Sequence, residues 1–413
     1  VSATARKLNT AWLTSGPLAR LLEVLDRDGE EARVVGGAVR NALIDVPVHE
    51  VDVATTAVPD EVVKRVTAAG FKPVPTGIEH GTVTVVIDKQ PFEVTTLRQD
   101  VETDGRHAKV AFGRDWKTDA ERRDFTMNAL SVTRDGTVHD YTGGLADLAT
   151  RSVRFIGDPK KRIEEDYLRI LRFFRFHAAY SNGGHPYAEG LAACIAGRDG
   201  LDQLSRERVR MEVMKLMVAA HAVPTLIAMA DCGLLLRVLG GASYLGSFEN
   251  MAKVEAAIGV APDPVQRLGA LGVWVAEDAE RLTQKLRLHN AEQERLISMA
   301  EGWRRISPGR GEAAARTLIY RLGPEAFTDH ALLGWARSDA SASDANWHAM
   351  TTTPRRWTAP LFPLKAADFM KRGIDKGPAL GAVLRAAETR WIAAGFPDDQ
   401  TTLDKIADTA VEP

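Results

Sequence analysis

The chain has 413 residues, 45% hydrophobic and 26% charged, values that exclude wholesale disorder and suggest roughly two to four domains. Two cysteines, Cys194 and Cys232, exclude a disulfide scaffold or a cysteine-rich zinc site and fit a reducing compartment. The 53 basic and 55 acidic residues nearly cancel, which excludes a uniformly basic binder but not an uneven distribution of charge.

No run reaches the ~17–25 apolar residues of a membrane span; the longest candidate, 216–230, carries His221 and Pro224. The first residues lack an apolar signal core, so the expectation is a cytoplasmic protein without membrane contact. In chain order, an amphipathic helix is predicted over 18–28. A short strand at 33–35 runs into Gly36-Gly37 and a helix over 38–44. A second strand follows at 51–53. Residues 82–87 and 92–97 alternate apolar and polar around Asp88-Lys89-Gln90, the pattern of a hairpin. A further strand pair is predicted across 130–133 and 138–141. After about 150 the strands stop. Helices are predicted over 161–180, 206–220, 224–232, 264–276, 278–288 and 291–303, with a breaker at 307–311 and a small-polar linker at 338–353. The predicted fold class is α+β: a small mixed-sheet head followed by an extended all-α neck, body and tail. The expected divisions are 1–150, 151–215, 216–337 and 338–413.

Four segments carry chemistry. Gly36-Gly37 between strand and helix lets a phosphate approach the backbone, and Arg40 is placed to clamp it. Seen alone, Gly-Gly is more often a tight turn. Glu50-Val51-Asp52 puts two carboxylates on one face of a strand, where hard oxygen ligands and nucleotide phosphates hold Mg²⁺. An isolated acidic pair is more often a solvated face, but this one follows the glycine turn closely, and Glu93 brings a third carboxylate. Arg122-Arg123-Asp124, followed by Asn128, suits a ribose and triphosphate, or equally a capping ion-pair cluster. In Glu165-Asp166-Tyr167-Leu168-Arg169, Asp166 and Arg169 lie on adjoining helix faces and offer an acceptor and a donor fork to one base edge. An ordinary i,i+3 ion pair is the plainer reading. Arg172 and Arg175 continue that helix. The tryptophans Trp303, Trp335, Trp347, Trp357 and Trp391 read as packing residues before stacking ones.

With these segments in order, the chain resembles the bacterial class II tRNA nucleotidyltransferases (CCA-adding enzymes) and their sister poly(A) polymerases. The resemblance runs through 34–57, 80–148 and 153–176 and returns at 368–381 and 391–396. It implies addition or repair of the tRNA 3′-CCA from CTP and ATP without a nucleic-acid template. It also implies roles. Gly36, Gly37 and Arg40 would hold the triphosphate, and Glu50 and Asp52 two Mg²⁺ ions. Arg123 and Asp124 would meet the nucleotide. Asp166 and Arg169 would read the base, supported by Arg172 and Arg175. Residues 98–112 would be a flexible loop tied to the switch from C to A, and the tail would bind tRNA; no obligate protein partner is implied. Three positions depart from the family pattern: Glu50 and Asn41 replace the usual Asp, and Asp45 the usual Gly, the last suggesting a turn with positive φ. Poly(A) addition, a partial CC-adding activity and RNA binding without catalysis are the alternatives. The neutral total conceals local surpluses: eight basic against four acidic residues in 151–176, and nine against four in 281–321, the footprint of phosphate-backbone contacts.

Overall fold

A computed structural model describes residues 6–8, 11–104 and 107–411, by backbone alone at 75–76, 80, 99–104 and 107–111. The chain divides into two compact units, Val1–Gly240 and Gly241–Pro413.

Among the described residues, the first unit holds every strand: β1 (Ala32–Val35), β2 (Asp52–Thr55), β3 (Lys72–Gly77), β4 (Thr82–Ile87), β5 (Gln90–Thr96), β6 (Arg98–Asp104), β7 (His107–Phe112), β8 (Ser131–Val132) and β9 (Val138–His139). Seven form one sheet in the order β3-β4-β5-β2-β1-β8-β9. All neighbours are antiparallel except β2 and β5, which run parallel. The interior strand β1 is buried along its whole length, as a strand covered on both faces must be. The alternating strand β4 buries Val83, Val85 and Ile87. Asp88 and Lys89, with φ of 52° and 68°, make the two-residue turn into β5. The crossover from β2 to β5 carries the helix Pro59–Ala68, started by Pro59 and an acidic first turn, which buries Val62 and Val66.

The structure adds strands that the residue pattern concealed. In β3, Pro73 and Pro75 argue against a strand, yet β3 is the sheet edge, where a missing N–H is tolerated. Residues 98–112, expected as a flexible loop, form the separate ribbon β6-β7, registered from Arg98↔Phe112 to Asp104↔His107; the Gly105-Arg106 tip lies outside the described residues. The helix expected over 161–180 is two helices, Pro159–Glu165 and Leu168–Tyr180. Asp166 is extended (φ −158°, ψ 105°), and its Oδ1 accepts the Leu168 N–H at 3.1 Å. A short acidic side chain that bonds the backbone ahead of it favours such a break. Asp45 has φ 57°, as its replacement of glycine suggested.

Phe125, Phe155, Phe173 and Phe176 close the unit's core beside the sheet, with Phe125 4.9 Å from Phe155 and 5.2 Å from Phe176 between ring centroids. This cluster ties the segment after Asp124 to the helix Leu168–Tyr180. The second unit is helical. Residues 338–353, expected as a linker, include the helix Ala345–Thr351 with Trp347 and Met350 buried. Trp335 stacks on Trp347 at 6.1 Å, and Trp391 is buried among Leu364, Phe369 and Leu380, so these three tryptophans pack as expected. Among the described residues, no helix is long and apolar enough to cross a membrane.

Candidate active site at the sheet tip and neck

The sheet register places the carboxylates. Asp52, the first residue of β2, pairs with Val35 at the end of β1 and with Glu93 in the middle of β5. Val35 leads directly into Gly36, so the acidic residues and the glycine turn share one sheet end. Gly36 has φ 70° and ψ −126°, and a Cβ there would lie 3.3 Å from Arg123 Nη1. Only glycine takes that backbone with so close a neighbour. Glu50 precedes β2 in the irregular segment, exposed, rather than sharing the strand as the spacing suggested. Its charge still reaches Asp52. Although Asp52 opens to solvent, loss of hydration first, then repulsion from Glu93 and Glu50, raises its pKa, while Arg123 pulls it down.

A carboxylate whose ionisation is opposed by two acidic neighbours fits a hard divalent cation. One or two carboxylates suffice when substrate phosphates complete the shell. Among the described residues no three His, Cys, Asp or Glu side chains converge as a ready-made metal cage.

Arg123 is held by the buried Asp119, 3.2 Å from its Nη2, while the same carboxylate takes Arg122 at 2.6 Å. Asp124 turns the other way. Its carboxylate accepts from the Phe125 N–H at 2.8 Å, Asn128 Nδ2 at 3.0 Å and Arg172 Nε at 2.7 Å. Burial alone would raise its pKa; the Arg172 charge and these hydrogen bonds outweigh burial and lower it.

Arg40 lies inward. It is 6% exposed, and its guanidinium donates to Asn41 at 3.0 and 3.1 Å, to Tyr180 Oη at 2.6 Å and to Asn128. The Tyr180 ring sits 4.0 Å from its Cζ. Asn41, unusual for the family, thus accepts two bonds from Arg40. Arg40, Arg172 and Arg175 all pack over Phe176, at 5.2, 5.3 and 4.2 Å. Glu212 binds Arg175 and lies 3.7 Å from Arg172.

The side chains of Asp166 and Arg169 do not pair with each other; the two residues meet only through the Arg169 N–H, which donates to the Asp166 carbonyl at 3.0 Å. Asp166 Oδ2 accepts from Arg208 at 2.7 Å, and Arg169 Nη1 donates to the Arg162 carbonyl at 2.6 Å and to Glu165. Between them, Tyr167 is seated against Gly200, where a Cβ would lie 2.0 Å from the ring.

The structure therefore gathers Gly36, Asp52, Glu93 and Arg123 at the sheet tip, with Glu50 beside them. It gathers Arg40, Asp124, Arg172 and Arg175 in one neck network, and sets Asp166 and Arg169 at the helix break. Sequence reading missed Asp119, Tyr180, Arg208 and Glu212. A signal existed for the last two: four residues apart on the helix Arg206–Met217, they share a face. The positive surplus of 151–176 is also smaller than it reads, because Asp147, Asp124 and Glu212 from other elements neutralise Arg154, Arg172 and Arg175.

This combination of a mixed sheet, a glycine turn beside strand carboxylates and an arginine-rich helix defines a nucleotidyltransferase head. Residues 32–154 match the poly A polymerase head domain, and 189–244 match the probable RNA and SrmB-binding site of polymerase A. The chain is 34% identical over 390 residues to CCA tRNA nucleotidyltransferase 1 of Mus musculus mitochondria, covering 92% of this chain and 87% of that protein. It is 29% identical over 406 residues to the CCA-adding enzyme of Limosilactobacillus fermentum, covering 97% and 98%. The Bacillus stearothermophilus CCA-adding enzyme, solved in complex with CTP, superposes with a TM-score of 0.74 at 27% identity over 94% of this chain and 96% of that one. The chain belongs to the CCA-adding enzymes, the tRNA nucleotidyltransferases. That membership implies dependence on a divalent metal.

Proposed function

We propose that the protein adds or repairs the 3′-terminal CCA of tRNA from CTP and ATP, with the terminal 3′-OH attacking the nucleotide α-phosphate and pyrophosphate leaving. The observation that carries this reading is the register Asp52↔Glu93, which sets carboxylates beside the glycine turn. Glu50 and Asp52 hold the ions in this reading, two Mg²⁺, with Glu93 adjacent. When bound, they supply Lewis acidity at the reacting oxygens. The chain's own groups orient the reactants. Gly36 and Gly37 leave room for the triphosphate to approach the backbone, and Arg123, fixed by Asp119, supplies positive charge above that turn. Asp124, tied to Arg172, presents the nucleotide side of the neck. Arg40, donating inward, supports the turn and neck from behind rather than meeting phosphate itself. Asp166 accepts from the amino group that cytosine and adenine share, and Arg169 donates to the neighbouring ring acceptor. Arg175, held by Glu212, backs that pair.

The same reading keeps 1–150 as catalytic head, 151–215 as base-reading neck, 216–337 as body and 338–413 as tRNA-binding tail, in a cytoplasmic enzyme. The test is to sequence the products made from a tRNA ending before CCA, supplied with CTP, ATP and MgCl₂. CCA followed by arrest supports the reading. Long A tails on generic RNA overturn it in favour of poly(A) addition, arrest after CC indicates a partial enzyme, and binding without incorporation indicates an RNA-binding protein.

A further inference from the structure

The stretch between the helix Gly37–Leu43 and β2 carries Glu50 and has no regular structure. Asp45, Val46, Pro47, His49 and Glu50 are exposed there. Three bonds to this stretch start from Asn41. Its carbonyl accepts from the Ile44 N–H at 3.2 Å and, across the left-handed Asp45, from the Val46 N–H at 2.9 Å. Its side-chain Nδ2 donates to the Pro47 carbonyl at 3.3 Å. The direction of that amide is set from the other side. Asn41 Oδ1 accepts from Arg40 Nε at 3.1 Å and Nη2 at 3.0 Å, and Arg40 is itself buried against Tyr180 and Asn128. With the oxygen turned to the guanidinium, the nitrogen faces the loop.

The side chain at 41 must therefore accept on one edge and donate on the other. An amide does both, whereas a carboxylate only accepts. An aspartate at 41 would pair more strongly with Arg40 but would set an oxygen against the Pro47 carbonyl oxygen. The two departures from the usual Asp, at 41 and at 50, thus stand at opposite ends of one loop. Glu50 lies between Pro47 and Asp52, and Asp52 is paired with Val35 and Glu93 in the sheet. Sheet register fixes one end of the segment that bears the Glu50 carboxylate, and Asn41 holds the other.

We infer that Asn41 is a positioning residue for Glu50: its amide carries the rigidity of the buried Arg40 into the loop and keeps the Glu50 carboxylate within reach of an incoming cation. The inference rests on the reading that Glu50 holds a metal ion. The experiment compares full-length wild type, Asn41→Asp, Glu50→Ala and the Asn41→Asp/Glu50→Ala double variant. It measures Mn²⁺ binding in the presence of CTP by electron paramagnetic resonance of the free ion, single-turnover incorporation of C across a range of Mg²⁺, and melting curves. Asn41→Asp keeps the acceptor and loses the donor. It is expected to weaken Mn²⁺ binding about tenfold, as loss of a group that orients a ligand does. Its melting temperature should be no lower than that of wild type, because the bonds to Arg40 gain charge. Raising Mg²⁺ should restore most of the lost rate. In the Glu50→Ala background, Asn41→Asp should weaken Mn²⁺ binding no further. Wild-type Mn²⁺ affinity in Asn41→Asp overturns the inference and leaves Glu50 as a metal ligand. So does a loss that persists undiminished in the Glu50→Ala background or comes with a lowered melting temperature. Wild-type Mn²⁺ affinity and rate in Glu50→Ala overturn the reading beneath it.

Discussion

At the sheet tip, Asp52 feels the repulsion of Glu93 and Glu50 against the pull of Arg123, whereas in the neck every charged group discussed has a named partner. Backbone register holds the tip and side-chain ion pairs hold the neck. The difference teaches which half is complete in the protein alone. The neck is preorganised: Asp124 is kept charged by Arg172, and Arg175 is neutralised by Glu212. The tip carries unbalanced negative charge that an arriving cation and its phosphates would relieve. Substitutions of the tip carboxylates should therefore change turnover with little effect on folding, and substitutions of the paired neck charges should lower stability as well.

The largest effect is expected for Asp52→Ala. Incorporation into a tRNA lacking CCA should fall by about 10³-fold, equivalent to ~4 kcal/mol in the barrier. The thermal midpoint should hold, because Asp52 is exposed and removing it relieves repulsion. A large loss of stability would break the comparison.

Asp124→Asn comes next and should act mainly on stability. It leaves the Arg172 guanidinium without its main partner, a loss of about 3 kcal/mol, at the low end of buried pairs because Glu212 remains 3.7 Å away. Urea unfolding reads it directly. The pH dependence has a definite sign. The Asp124 pKa is lowered in the folded state, so its contribution is complete above the ordinary carboxylate range and is lost as pH falls through the depressed value. Acid titration of the urea midpoint should be shallower in Asp124→Asn than in wild type.

Gly36→Ala should cost about 1–3 kcal/mol through its positive φ alone. It should also raise KM for both nucleotides by pushing Arg123 aside, a combined outcome that would show where tip and neck meet. The smallest effect is expected for Glu50→Asp. A carboxylate misplaced by ~1 Å can cost 10²-fold. Glu50, however, stands in irregular backbone ahead of β2 and can adjust, so single-turnover rates should change by less than about tenfold.

The sheet end was legible because it is local. Gly36-Gly37, Asp52 and the β4-β5 hairpin follow from short patterns whose periodicity and turn residues agree. Glu93 could be named from sequence, but its pairing with Asp52 depends on a parallel crossover that no local pattern encodes. The neck was legible by residue and not by partner. Arg40 reads as a surface phosphate clamp until Tyr180, 140 positions later, is found to accept from it. Asp166 and Arg169 read as an i,i+3 pair until Asp166 caps the next helix instead. Arg208 and Glu212 were hidden for the same reason, since an exposed-looking i,i+4 pair is ordinary until its counterparts come from another helix.

The parallel alignment of β2 with β5 has a consequence for how the enzyme comes into being. Asp52 and Glu93 are separated in the chain by a helix and a complete hairpin, so the pair forms only after that excursion has folded back onto the sheet. A slip of one residue in this register would turn Asp52 and Glu93 to opposite faces. Activity during refolding should consequently lag behind helix formation and return with closure of the sheet. The acidic site thus serves as a built-in inspection of the head: a chain that has assembled its strands out of step is silent rather than error-prone.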